Sequence, residues 1–272
     1  MKVRDALRAA TETLAKTSES PRLDAELLMA HILGESREAV VLGGLDAETP
    51  SGFEALVERR AAHEPLAYIT GSREFWSLDF AVGPGVLIPR PDSETLLETA
   101  VRELAGRPPS TILDLGTGSG ALLLAALGEW PSATGMGIDQ SDTALAYARE
   151  NAARLGLTER ARFRKGHWGD AETERYDLIL CNPPYVDPAA SLMPDVADFE
   201  PGEALFADDD GMADYRYIIP QLPELLSDGG IACVELGVGQ ASSVAELCER
   251  QGLFSAISRD LAGLERCLLI HS

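Results

Sequence analysis

Thr111-Ile-Leu-Asp-Leu-Gly-Thr-Gly-Ser-Gly120 reads as a short strand running straight into a glycine-rich turn, and Ala121-Leu-Leu-Leu-Ala-Ala-Leu127 continues it as a helix. Glycines at 116, 118 and 120 let the backbone reach φ > 0 and come close to a ligand. A strand, a tight turn and a helix N-terminus in that order form a ready anion and nucleotide cradle. Asp139, 19 residues past Gly120, closes the next apolar run at 134–138. An acid there can accept both hydroxyls of a ribose. Gly116, Gly118 and Ala121 also fit the dinucleotide fingerprint, so the glycines alone leave both a nicotinamide dinucleotide and S-adenosylmethionine open.

Working outward, helical and strand patterns alternate. Helices at 92–105, 120–130 and 141–155 precede strands at 111–114, 134–138 and 161–164 in a staggered order, and apolar runs at 178–181 and 230–236 add two more strands. This alternation predicts an α/β fold, a doubly wound, mostly parallel sheet covered by helices on both faces. After a helix at 241–250, the runs 254–257 and 266–270 are joined by a link around Ala262-Gly263. That link is too short for a parallel crossover, so the seven-stranded, Rossmann-like sheet is expected to end in an antiparallel hairpin. Residues 1–70 read instead as a small helical bundle, with Val3, Leu7, Ala10 and Leu14 at helical spacing, Pro21 starting a second helix that Gly34 stops, and further runs at 38–42 and from Phe53. Between the two, residues 71–91 read as a hairpin followed by a stiff link rich in Pro and Gly. The expected domains are therefore a bundle at 1–70 for structural support or substrate docking, a linker at 71–91, and a ligand-binding domain at 92–272.

Composition bounds the function. The 272 residues carry 45% hydrophobic and 25% charged side chains, which is enough to build a core and rules out disorder as the main state. No apolar run approaches the ~20 residues of a membrane span, and the N-terminus has no secretory h-region. Four cysteines without a CxxC pair read as buried reduced thiols of a cytoplasmic protein, and the scattered histidines give no metal site. The net charge of −21 divides into −5 over residues 1–80 and −16 over residues 81–272. Such acidity argues against nucleic acid as a direct partner, because its sequence-independent affinity comes from Lys and Arg.

Two features tilt the ligand towards S-adenosylmethionine. Asp114 precedes the glycine turn, where a carboxylate suits an ammonium group and repels a pyrophosphate. Asn182-Pro183-Pro184-Tyr185 directly follows the fourth strand, and ligands of open parallel sheets bind beyond the carboxyl ends of the strands. The tetrapeptide fits methyl transfer to an amide or amino nitrogen, a poor nucleophile whose lone pair must be aimed. The Asn182 side-chain carbonyl and the Pro183 backbone carbonyl can accept its two N–H bonds. The prolines stiffen the turn, and Tyr185 offers a flat face to a planar group.

Ile88 to Glu94 (IPRPDSE), Asp114 to Gly120 (DLGTGSG), Gly137 to Ser141 (GIDQS) and NPPY together resemble the HemK/PrmC family. These are bacterial methyltransferases of the glutamine in the Gly-Gly-Gln motif of peptide-chain release factors. The resemblance extends over nearly the whole chain, through RLDAELLMAHILG (Arg22 to Gly34) and EPLAYITGSREFWSLDF (Glu64 to Phe80). NPPY alone is shared with adenine-amino methyltransferases. The other strings separate this chain from the sibling that acts on a ribosomal-protein glutamine. The resemblance implies an S-adenosylmethionine pocket of Gly116, Thr117, Gly118, Ser119 and Gly120, with Asp139 on the ribose, Trp168 near the adenine and Asn182 beside both ligands. It also implies that Asn182, Pro183, Pro184 and Tyr185 hold the glutamine amide. Separately from the resemblance, the protein is expected to be a monomer. One departure stands out, since His167 precedes Trp168 where the family commonly has an acid.

An acidic stretch at 186–215 follows the catalytic turn and reads as a lid or docking segment, or else as a solvated loop. On the lid reading, the acidity favours a basic protein loop and disfavours nucleic acid. The competing functions are an adenine methyltransferase, a nicotinamide dehydrogenase and a non-catalytic binding module.

Overall fold

The computed structural model describes residues 1–271. The chain divides into two compact units, one made of Met1–Ser72 together with Leu192–Phe199, the other of the rest of the described chain.

In the first unit, Val3, Leu7, Ala10 and Leu14 fall on one face of the helix Val3–Leu14, and all four are buried. Pro21, whose missing N–H costs nothing in a first turn, opens the helix Pro21–Leu33, and Gly34 closes it at φ +67°. The run expected at 38–42 is a single turn, Arg37–Ala39, that widens into a π-turn at Val40–Gly44. Phe53–Ala61 and Leu66–Thr70 complete the bundle. A buried ion pair crosses it, with Arg60 Nε 2.8 Å from Asp24 Oδ2. Asp24 also accepts from the hydroxyls of Ser18 and Ser20 at 2.8 and 3.2 Å. The far side of the guanidinium lies 3.9 Å from Asp195 of Leu192–Phe199.

The second unit opens with a two-stranded sheet, β1 (Ser72–Phe75) and β2 (Leu78–Ala81). Its main sheet holds seven strands: β3 (Thr111–Leu115), β4 (Thr134–Asp139), β5 (Ala161–Lys165), β6 (Tyr176–Cys181), β7 (Leu226–Glu235), β8 (Phe254–Arg259) and β9 (Glu265–His271). Their order is β5-β4-β3-β6-β7-β9-β8. All neighbours from β5 to β7 pair in parallel, while β9 runs antiparallel to both β7 and β8. The expected terminal hairpin is therefore present, with its second strand inserted next to β7. Strand β9 is the more apolar of the two, and its Cys267, Leu268, Leu269 and Ile270 are all buried while β8 keeps an exposed face.

Alternation along the central strands feeds two cores. Ile112, Leu178, Leu180 and Cys233 join Leu96, Leu97 and the helix Ala121–Glu129 on one face. Leu113, Leu115, Ile179, Cys181 and Val234 join Tyr215, Ile218 and Val244 on the other. Strands apolar on both sides are what a helix-covered parallel sheet requires. All four cysteines are buried and free. Strand β7 begins at Leu226, earlier than the apolar run indicates, because Leu226 pairs with Tyr176 and a bulge at 227–230 precedes the regular register from Ile231. Among the described residues, no helix is long and apolar enough to cross a membrane.

Replacing Arg60 with Met leaves the Asp24 carboxylate buried without its charge partner, a change that costs about 3–5 kcal/mol in comparable sites. The urea midpoint of the full chain is expected to fall accordingly, and an unchanged midpoint would show that the Arg60–Asp24 pair does not hold the bundle together.

Candidate functional site

The order of the main sheet reverses direction around β3, which has β4 on one side and β6 on the other. At this switch point crossover helices diverge to opposite faces and leave a crevice beyond the strand ends. A cavity of about 340 Å³ lies there, a size typical of small-molecule sites. Of the residues singled out from sequence, Gly116, Thr117, Gly118, Ser119, Asp139, Trp168, Asn182 and Pro184 line it; Gly120, Pro183 and Tyr185 stand outside the lining. Gly120 is the N-cap of the helix Ala121–Glu129 at φ +82°, and Pro183 is buried.

The glycine turn is stitched to the end of β4. The N–H groups of Gly116 and Thr117 both donate to the Ile138 carbonyl, at 2.9 and 3.0 Å. Asp139 Oδ2 accepts from the Gly118 N–H and Oδ1 from the Ser141 N–H, each at 2.8 Å. Each carboxylate oxygen retains a second lone pair, so Asp139 can still accept from a ligand hydroxyl. Burial, opposed by these bonds, raises its pKa.

Trp168 forms the facing wall. A Cβ on Gly116, itself at φ +73°, would lie 3.0 Å from the Trp168 ring and 3.9 Å from the Asn182 carbonyl. Trp168 sits at φ +49°, a backbone region that bulky residues rarely occupy. Its indole N–H donates to Asp214 Oδ1 at 3.2 Å, which holds the ring in place. Asp214 also lines the cavity, and burial raises its carboxyl. His167 lines the cavity too, half exposed, with Nδ1 3.7 Å from Asp170 and its ring edge-on to Tyr217 at 4.7 Å. The wall thus combines a flat aromatic face, a hydrogen-bond acceptor and an imidazole, a donor set suited to a purine.

Asp114 does something other than meet a ligand ammonium group. It faces the same side of β3 as Ile112, fully buried, and lies outside the cavity lining. Its Oδ2 accepts from the Thr117 hydroxyl at 2.6 Å. Burial is the main cause that pushes its pKa up to about 7, against bonds from Thr117 and the Leu123 N–H. The residue therefore braces the glycine turn against the helix behind it.

The NPPY turn rests on residues that sequence reading left unremarked. The Asn182 amide nitrogen donates to Ser93 Oγ at 3.1 Å. Tyr185, rather than presenting a free ring to the cavity, donates its hydroxyl to the buried Glu235 at 3.0 Å. Gln240 donates to the Tyr185 carbonyl at 3.2 Å and accepts from the Gly237 N–H at 3.0 Å. A signal was present in Glu235-Leu-Gly-Val-Gly-Gln240, where a carboxylate ends an otherwise apolar strand and a glycine turn follows.

The stretch after the turn is folded, and several of its acids are committed. Val186 pairs with the segment around Phe206, through Val186 N–H to Leu205 O at 3.0 Å and Ala207 N–H to Val186 O at 2.9 Å. The excursion between those ends supplies Leu192–Phe199 to the helical unit. On its return, Glu200 is buried, accepts the Ile88 N–H at 3.0 Å and pairs with Arg90. Glu203, Ala204 and Phe206 then line the cavity, as do Gly85, Val86 and Leu87.

The fold and the cavity define a Rossmann-like methyltransferase. Residues 108–262 match the family model described as a methyltransferase domain, and residues 5–71 match the PrmC N-terminal domain. A release factor glutamine methyltransferase from Rhodospirillum rubrum is 47% identical over 257 residues, covering 92% of this chain and 79% of that protein. One from Vibrio cholerae is 42% identical over 274 residues, covering 97% and 94%. Among solved structures, a methyltransferase from Pyrococcus furiosus superposes with a TM-score of 0.56 at 18% identity, over 82% of this chain and 98% of that one. The chain belongs to the release factor glutamine methyltransferase family.

Two outcomes test this geometry. Gly116→Ala adds a Cβ at a strained φ and 3.0 Å from Trp168, so the affinity for S-adenosylmethionine, read by calorimetry, should fall by about tenfold or more; unaltered affinity would remove Gly116 from the site. For Asp114 the native pKa of about 7 stands above the 3.8 of an ordinary aspartate. Its stabilising contribution is full below the lower value and lost as pH rises through the upper one. Asp114→Asn should remove that component, a slope of up to about 1.4 kcal/mol per pH unit between those limits. Urea midpoints of the two proteins from pH 4 to pH 7 read it, and a constant difference would mean that Asp114 is ionised in the fold.

Proposed function

We propose that this chain transfers a methyl group from S-adenosylmethionine to the side-chain amide nitrogen of the Gly-Gly-Gln glutamine of peptide-chain release factors. The observation that carries the proposal is the NPPY turn itself. It leaves β6 beside the glycine turn of β3, so that Asn182 and Pro184 share one cavity with Gly116 and Asp139. Bound S-adenosylmethionine would supply an electrophilic methyl group on a positively charged sulfur.

The chain's own residues have three tasks in that reading. Asp139 accepts the ribose hydroxyls with the lone pairs its backbone bonds leave free. The Trp168 face and the polar atoms of Asp214 and His167 receive the adenine. Asn182 Oδ1 and the Pro183 carbonyl accept the two amide N–H bonds, turning the nitrogen lone pair towards the methyl carbon. Gly120, Pro184 and Tyr185 keep these parts in register. Such positioning is worth up to about 7–11 kcal/mol in favourable cases, and it needs no general base before transfer and no metal ion.

The helical unit, with the Leu192–Phe199 segment it incorporates, is the docking module in this reading. The chain acts in the cytoplasm, as a monomer, on protein rather than on nucleic acid. An adenine-amino substrate is disfavoured by the small number of cations, 23 against 44 acids.

Mass spectrometry of release factor incubated with the protein and labelled methyl donor should place one methyl group on the Gly-Gly-Gln glutamine. Methyl on another residue, or on duplex DNA alone, would overturn the assignment. Asn182→Ala should lower the transfer rate by a factor of about 10² or more while S-adenosylmethionine affinity stays within about threefold. Retained transfer would take Asn182 out of the reaction.

A further inference from the structure

The Asn182 amide has two ends of similar shape and opposite hydrogen-bonding character. Only one orientation serves an amide substrate, the one that aims Oδ1 at its N–H groups. With Nδ2 outward, two donors would face each other. Nothing in the NPPY turn itself selects between them, so the selection must come from behind.

Behind Asn182 lies a chain of polar groups that ends on a buried charge. Asn182 Nδ2 donates to Ser93 Oγ at 3.1 Å, and Ser93 is 3% exposed. Burial raises the Glu235 carboxyl, and the neighbouring Ser93 and Tyr185 hydroxyls oppose that rise by favouring its ionised form. Glu235 is 1% exposed. Its Oε1 accepts from Tyr185, while its Oε2 has no partner at hydrogen-bond geometry among the described residues. The charged groups around it are Arg266 of β9 and Asp92 of the turn before Ser93, themselves paired at 3.1 Å. Burying a carboxylate this deeply is unfavourable unless its oxygens are occupied. Ser93 is the donor placed to reach the free one.

We propose that Glu235 is a positioning residue that sets the orientation of the Asn182 amide through Ser93. The inference rests on the amide-methylation reading above and adds to it a residue outside the cavity. A carboxylate only accepts, so the single Ser93 proton is directed to Glu235. The Ser93 oxygen then offers Asn182 lone pairs alone, which only the NH₂ end can use, and Oδ1 is left facing the substrate. The same carboxylate draws in the Tyr185 hydroxyl, so one buried charge fixes both ends of the NPPY turn. A glutamine at 235 keeps the shape and loses the selection. Its NH₂ can donate to Ser93, freeing the Ser93 proton for Oδ1 of a flipped Asn182.

The test is steady-state methyl transfer to release factor by wild type, Glu235→Gln, Ser93→Ala and the double variant, with S-adenosylmethionine affinity measured by calorimetry. The expected result is a kcat at least about tenfold lower in Glu235→Gln, with KM for release factor and cofactor affinity within about twofold of wild type. The double variant should be no slower than Ser93→Ala alone, because both changes cut one link. A Glu235→Gln protein with wild-type kcat, or losses that multiply in the double variant, overturns the positioning role while leaving the function in place. A wild-type protein that does not methylate release factor overturns the function and this inference with it. Should Glu235→Gln fail to fold, Ser93→Ala decides alone, a tenfold fall in kcat at constant KM supporting the relay and an unchanged kcat overturning it.

Discussion

Gly116 has no side chain, and three parts of the molecule converge on the space this leaves. The ring of Trp168 closes over it, the backbone carbonyl of Asn182 approaches it, and its own N–H is fixed to the end of β4. Parallel strands lie about 4.8 Å apart, so turns that leave neighbouring strands β3 and β6 crowd each other unless one has no Cβ. The glycine turn therefore does more than admit a ligand. It lets the cofactor cradle and the NPPY turn share one crevice, a proximity that direct transfer between two bound molecules demands.

Beneath that crevice the protein holds three carboxyls with limited access to water, Asp114, Asp139 and Glu235, and burial raises all three. Two are tied to the glycine turn and one to the NPPY turn. Asp114 braces the glycine turn through Thr117, Asp139 ties that turn to the helix start at Ser141, and Glu235 receives Tyr185 from the NPPY turn. The turns lack regular backbone ladders, and each of these carboxyls supplies acceptors that stand in for ladder bonds. The desolvation cost of these acids is thus offset where precise turn geometry matters most.

The sheet and the cradle were legible in sequence because their signals are local. Alternating helix and strand periodicity, glycines at fixed spacing and an acid at the end of β4 each lie within a short window. The roles of Asp114, Ser93, Glu235 and Gln240 were not legible in this way. Asp114 borders the cradle in sequence but faces the helix side of β3, which the pleat alone decides. Ser93 is 89 residues from Asn182, and Glu235 is 50 from Tyr185, so only the sheet order brings them together. Pairing of β7 with β6 delivers Glu235 to the NPPY turn, and β7 carries a bulge whose polar residues 227–230 resemble a plain turn.

The folded structure also changes what the charge of −21 means. Asp24, Glu26, Asp114, Glu200 and Glu235 are buried, and most of these face an arginine or a backbone donor rather than solvent. In the stretch after NPPY, Glu200 accepts from Ile88 and Arg90, Asp195 lies beside Arg60 in the helical unit, and Asp209 pairs with Arg216 at 2.6 Å. Acids already paired contribute little to the field that a partner meets at a distance. Part of the acidity that reads as partner selection is therefore structural, used to anchor an excursion that leaves the catalytic turn, enters the helical unit and returns to the cavity rim. Electrostatic preference for a basic loop has to come from the remaining exposed acids, Asp208 and Asp210 among them in that stretch. In the proposed reading, selection of the glutamine itself falls to the uncharged acceptors of the NPPY turn and to the buried groups that hold them.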